Sequence, residues 1–177
     1  MSMYQRIMIV VDEGVVAPVA TAHGLALAKE HGAKVVFFFA LPDPVMPITD
    51  MPPLVALAPD EFQREVRRAG DRVLSEAEQQ AQAAAVPCSI ASGVGTDAAE
   101  CIAKAATEHQ CQLVVIGSHG RNALQRLVFG SVVTRLITLS PVPVLVCKKA
   151  SGSEDNPQRA KPTQTQDDIG SRTGTPI

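Results

Sequence analysis

The chain has 177 residues, 46% hydrophobic and 19% charged, enough to close one core without a metal or disulfide staple. A net charge of −2 argues against a general nucleic-acid or anionic-membrane surface, and 3% aromatics with no Trp leaves no stacking platform for single-stranded nucleic acid. The longest apolar runs fall far short of the roughly 20 residues that span a bilayer, and MSMYQRIMIVV is too short in its apolar run for a signal peptide, so a cytoplasmic location is expected.

In chain order, residues 6–12, RIMIVVD, are a continuous β-branched run ending in a carboxylate, which predicts a strand buried on both faces. Val16, Ala20, His23 and Leu27 then follow helical spacing, with Gly32 as a C-cap. On that stripe His23 reads as a packed or interface histidine. Residues 33–41, AKVVFFFAL, predict a second buried strand. Residues 41–59 hold six prolines, which exclude regular helix or central strand and predict a long loop.

Asp60 and Gln63 have capping-box spacing at the start of a long helix. Its apolar stripe is Phe62, Val66, Ala69, Val73 and Ala77, and its wet face carries Arg64, Arg67, Arg68 and Asp71. Residues 87–93 predict a short strand, followed by a helix with Asp97 and Glu100 in capping-box spacing and Ile102 and Ala106 inward. Residues 111–117 predict a fourth strand. Val132, Val133, Leu136 and Leu139 mark a further helix, and residues 142–149 a fifth strand. From 151 to 177 the chain has one large aliphatic before its last residue, Ile169, too little to offset ordering entropy, so a disordered polar tail is expected. The expected organisation is one domain over 1–150, including the Pro-rich loop, and then the tail.

Strands alternating with helices predict an α/β fold, a five-stranded mostly parallel sheet with helices on both faces. Ligands in such sheets bind beyond the carboxyl ends of the strands, at a topological switch point. Asp12, the start of the Pro-rich loop and the segment VVIGSHGRNALQRLVFGSVV all fall at such ends. In that segment Gly117 and Gly120 let backbone N–H groups approach an anion closely. Gly130 and Ser131 open a helix whose free N–H groups and positive dipole end suit a phosphate. Turn glycines followed by a serine N-cap account for the same residues without a ligand. A Walker A loop is excluded because no lysine follows the glycine, and the first βα turn, VDEGVVAP, is not GxGxxG.

Gly117-x-x-Gly120, nine residues and Gly130-Ser131 together resemble the nucleotide-binding signature of universal stress proteins, and the resemblance extends over about residues 3–149. It implies a Rossmann-like fold of the adenine nucleotide alpha hydrolase type that dimerises through its last strand and, in ATP-binding members, holds nucleotide at the glycine loop. Position by position, it implies that Asp12 lies near ribose, adenine and any Mg²⁺, and that Ala40 meets adenine through its backbone while Val10 lines the pocket. Gly117, His119, Gly120 and Arg121 would form one half of the phosphate loop, and Gly130, Ser131 and Val132 the other. Where many members have a small residue and then serine after the first aspartate, this chain has Glu13-Gly14. An extra carboxylate repels a polyphosphate unless it points away or Mg²⁺ intervenes.

Ser118-His119 lacks a carboxylate orienter and does not read as a catalytic pair. The four cysteines show no CxxC spacing and read as reduced thiols, and no His/Asp/Glu cluster has metal-ligand spacing. The expected function is a homodimeric, ATP-binding (or AMP- or ADP-binding) stress-response regulator, self-pairing along residues 142–146. The alternatives are a slow ATPase or nucleotidyl-transfer enzyme, and a structural dimer or interaction module that binds no nucleotide.

Overall fold

The computed structural model describes residues 2–14, 16–42, 59–118 and 131–148. Among the described residues nine elements alternate: β1 (Arg6–Val10), α1 (Ala17–His31), β2 (Lys34–Pro42), α2 (Pro59–Ala83), β3 (Cys88–Gly95), α3 (Ala98–Glu108), β4 (Leu113–Gly117), α4 (Ser131–Leu139) and β5 (Val144–Cys147). The five strands form one sheet in the order β3-β2-β1-β4-β5, and every pairing is parallel. The order reverses between β1 and β4, which is the switch point of this sheet.

Two apolar layers cover the sheet, one on each face. Ile7, Ile9, Val35, Phe37 and Val115 pack beneath Ala20, Leu25 and Ala28 of α1 and Leu74, Ala77 and Ala81 of α2. Met8, Val10, Val36, Phe38, Val114 and Ile116 pack beneath Ala99, Ile102 and Ala106 of α3 and Val133 and Leu136 of α4. Ile7, Ile9 and Val115 are fully buried on one face and Met8 and Val114 on the other. Continuous apolar runs in β1 and β4 are thus the consequence of burial from both sides.

α1 enters with proline in its first turn and ends at Gly32, whose left-handed φ of 63° turns the chain into β2. Its buried stripe is Ala17, Ala20, Thr21, Gly24, Leu25 and Ala28. His23 is exposed, its ring Nδ1 2.9 Å from the Val19 carbonyl oxygen, so of the two expected roles, packed or interface, it does not take the packed one. The physical reason is size: the sheet takes the alanine-glycine side of the helix, where the backbone can come close.

In α2, Ala69 and Ala77 are buried and Val66 and Val73 half-buried, while Arg64, Arg67, Arg68 and Asp71 are exposed. The helix starts at Pro59, so Asp60 and Glu61 lie in its first turn and favour the positive end of its dipole from there. β2 runs on through Leu41 and Pro42, which pair with Val94 and Gly95, so the first two residues of the predicted loop are strand. A proline is tolerated there because it closes the strand. The predicted loop's residues 43–58 and the predicted tail, 151–177, lie outside the described residues.

All four cysteines are free, and burial pushes the Cys111 thiol up to about 11 against the opposing pull of Arg6. Among the described residues no three His, Cys, Asp or Glu side chains could hold a metal ion, and no helix is long and apolar enough to cross a membrane.

Candidate functional site

The carboxyl ends of the central strands bring together several residues singled out in the sequence. Val10 pairs with Phe38 and Ile9 with Val115. The ladder continues as Val11 N–H donates to the Phe38 carbonyl at 3.0 Å. Carried forward, that register sets Asp12 level with Ala40 on one side and Ser118 on the other. Ala40 is paired in turn with Gly93 of β3. Gly117 pairs with Cys147, and a Cβ on it would stand 3.3 Å from the backbone and Cβ of Val16, which closes the sheet edge against the entry to α1.

Val10 belongs to the core beneath α3 and α4, and Ala40 and Val132 pack against that same core. Val10, Ala40 and Val132 therefore share one apolar lining, and Asp12 and Gly117 stand at the same end of the sheet. Ser131 is exposed at the first residue of α4, nine residues long, whose first-turn N–H groups have no partner within the helix. His119, Gly120, Arg121 and Gly130 lie outside the described residues. Ser118, beside them, is buried, and its N–H extends the β4–β5 ladder to the Cys147 carbonyl at 2.7 Å.

Asp12 is held in a turn: its Oδ1 accepts from the Gly14 N–H at 2.6 Å. Burial pushes its carboxyl above the ordinary carboxylate range, the Gly14 N–H opposes this, and the Glu13 charge adds to the rise. In its ionised form such a carboxylate accepts strongly from a donor or a cation. A hard oxygen of this kind suits Mg²⁺, but a single carboxylate fills only one of six positions, so an ion there would arrive with phosphate oxygens supplying others.

Glu13, the residue that departs from the family pattern, has Oε1 3.8 Å from the Arg72 guanidinium on α2. Both line a cleft of 280 Å³ between α1 and α2, with Asp12, Gly14, Thr21 and Glu76 on its walls. The pairing draws the Glu13 charge toward α2. Sequence reasoning gave no hint of it, since 58 residues with a long Pro-rich stretch separate the partners.

A second unforeseen group stands at the end of β3. Asp97 caps α3, its Oδ1 accepting from Ala99 N–H at 2.8 Å and Glu100 N–H at 3.4 Å. Its Oδ2 lies 2.7 Å from Arg135 Nε of α4, and Arg135 Nη2 lies 3.0 Å from Glu100 Oε1. The capping-box spacing foretold the cap and not the arginine.

The family model for the universal stress protein family matches residues 3–148. Universal stress protein MJ0531 of Methanocaldococcus jannaschii is 29% identical over 153 residues, 84% of each chain. Among solved structures, the hypothetical protein MJ0577 superposes with a TM-score of 0.69 at 22% identity, covering 83% of this chain and 97% of its own. A universal stress protein in complex with cAMP (TM-score 0.61, 21% identity, 82% and 98% covered) has the same fold. So do an Archaeoglobus fulgidus universal stress protein in complex with dAMP (0.58, 18%, 82% and 98%) and an Arabidopsis thaliana family protein with AMP bound (0.60, 13%, 83% and 93%). At these identities the structures speak for the fold, and the family model for membership. The chain belongs to the universal stress protein family.

Proposed function

We propose that this protein binds an adenine nucleotide at the carboxyl edge of β1, β2 and β4 and acts as a homodimeric regulator in the cytoplasm. The observation that carries the reading is the gathering of Asp12, Ala40 and Gly117 at the carboxyl ends of β1, β2 and β4, with Asp12 level with Ala40 and Gly117 next to its level neighbour Ser118, backed by the apolar lining from Val10 and Val132. Related folds with AMP, dAMP and cAMP support an adenine nucleotide as the class of ligand. ATP with Mg²⁺ is the form that a two-part glycine loop and one carboxylate would serve best. In this assignment Asp12 meets the ribose and the ion, Ala40 the adenine, and Gly117, His119, Gly120, Arg121, Gly130 and Ser131 the phosphates. The Glu13–Arg72 pair supports the assignment by giving the extra carboxylate a partner away from the phosphates.

Mass spectrometry of freshly purified protein, followed by thermal melts with added ATP·Mg²⁺ or AMP, tests the proposal. Ligand at about ten times its Kd contributes roughly 1.4 kcal/mol, or a rise of about 3–6 °C in Tm for a chain of this size. No co-purified nucleotide and no shift at millimolar ligand would favour the interaction-module reading instead.

Self-association is assigned to β5, an edge strand of the sheet. Leu145 on it and Ile137 and Leu139 on the adjoining α4 are exposed, an apolar surface at an open edge that a second copy would cover. Leu145→Lys is expected to weaken the dimer by about tenfold or more, since a charge would have to be desolvated in the interface. Light scattering across a dilution series reads this, and an unchanged dimer would move the interface elsewhere.

A further inference from the structure

We infer that Arg135 is a positioning residue for the phosphate end of the proposed nucleotide site, an inference that rests on the nucleotide-binding proposal. α4 offers its first turn to the phosphates, yet it is only nine residues long and buries just Val133 and Leu136. With Val132 only partly buried beside them, these contacts lie on one side of the helix and resist tilting less than a longer stripe would. Arg135 supplies the lateral hold, because it lies on the exposed side of the helix, between those two anchors and facing α3.

The hold is a fork onto two carboxylates, with Nε at 2.7 Å from Asp97 Oδ2 and Nη2 at 3.0 Å from Glu100 Oε1. Charge-assisted contacts of this length fix direction as well as distance. Asp97 serves two helices at once, with one oxygen on the first N–H groups of α3 and the other on Arg135. Glu100, which capping-box spacing would return to the Asp97 N–H, is instead engaged with Arg135. Since Asp97 stands two residues past the end of β3, the fork ties the middle of α4 to the same sheet edge that carries Ala40 and Gly93.

The guanidinium has a second effect on the site. It neutralises two carboxylates that otherwise face the N-terminal half of α4, where an anion is to bind. Loss of Arg135 both loosens α4 and leaves these charges opposing phosphate, and the charge effect falls on a ligand that carries a phosphate and not on one that lacks it.

The test compares AMP with adenosine on the full chain by NMR titration for wild type, Arg135→Gln and Arg135→Lys. Exposed ion pairs are individually weak, and this two-carboxylate fork is expected to be worth about three- to tenfold in AMP affinity, with adenosine changed by less than about twofold. Arg135→Lys restores the charge but not the fork and should recover part of the AMP loss. AMP affinity unchanged in Arg135→Gln overturns the inference, as does an equal fall for both ligands, which would mark general destabilisation. A wild-type chain that takes up neither ligand would instead overturn the nucleotide-binding proposal itself, and the inference with it.

Discussion

Asp12→Asn is expected to make the ligand-free protein more stable at neutral pH while lowering its nucleotide affinity by about 10- to 100-fold. The affinity figure is that of a hydrogen bond or ion contact to a charged group, roughly 1.5–3 kcal/mol. The two effects share one cause. Burial raises the Asp12 carboxyl above its ordinary range, so the ionised form is disfavoured in the folded chain relative to the unfolded one. An acid with a raised folded pKa costs stability at pH above that value, and the cost is relieved as pH falls through the folded pKa toward the unfolded one. Asparagine removes the cost and keeps an oxygen for the Gly14 N–H, so the turn survives. The gain in Tm over wild type should therefore be present at pH 7 and close as the solution is acidified. In the nucleotide complex the balance reverses, because a ribose hydroxyl or Mg²⁺ needs the negative charge. Wild-type affinity for AMP should consequently fall on acidification more steeply than that of Asp12→Asn, the phosphate's own titration being common to both. Calorimetry at several pH values reads the difference. Equal affinities for the two proteins at pH 7 would remove Asp12 from the site.

Much of this fold is legible from periodicity, and particular residues show where legibility ends. The runs in β1 and β4 announce burial on both faces, and Asp97 announces a helix start three residues before Glu100; the structure has both. His23 misleads because its spacing from Ala20 and Leu27 suits a helical stripe as well as the true one does. Only the sheet's preference for the Ala20–Gly24 side decides between them. At the sheet edge, Asp12, Ala40 and Gly117 could be placed at strand ends from sequence. That they come side by side at neighbouring strand ends depends on strand register, which no local pattern encodes. The two ion-pair groups were out of reach for a different reason. Arg72 and Arg135 look like ordinary solvated arginines until tertiary packing sets them against Glu13 and against Asp97 with Glu100.

Gly24→Val is expected to cost about 3 kcal/mol of stability, a fall in Tm of roughly 6–12 °C, at a position that touches no part of the site. A Cβ at Gly24 would lie 2.5 Å from Ile9 Cδ1 and 2.7 Å from its Cγ1, with Val115 Cβ at 3.7 Å. A side-chain tip can ordinarily turn aside, but Ile9 is fully buried between α1 and the sheet, where close packing resists such a move. The helix must lift instead. Gly24→Ala sets the same clash against a gain of about 1 kcal/mol in helix propensity, so it should fall between wild type and valine. Gly32→Ala is the informative contrast: nothing lies within 4 Å of its added Cβ, and its cost of about 1 kcal/mol arises only from the left-handed φ. Circular-dichroism melts of the three variants should rank valine at 24 well below the others. The ligand response should follow the same order, because lifting α1 carries Val16 away from Gly117 and opens the edge on which Asp12 is held. A Gly24→Val protein with wild-type Tm would mean that α1 does not lie this close to β1, and the site's wall would then need another support.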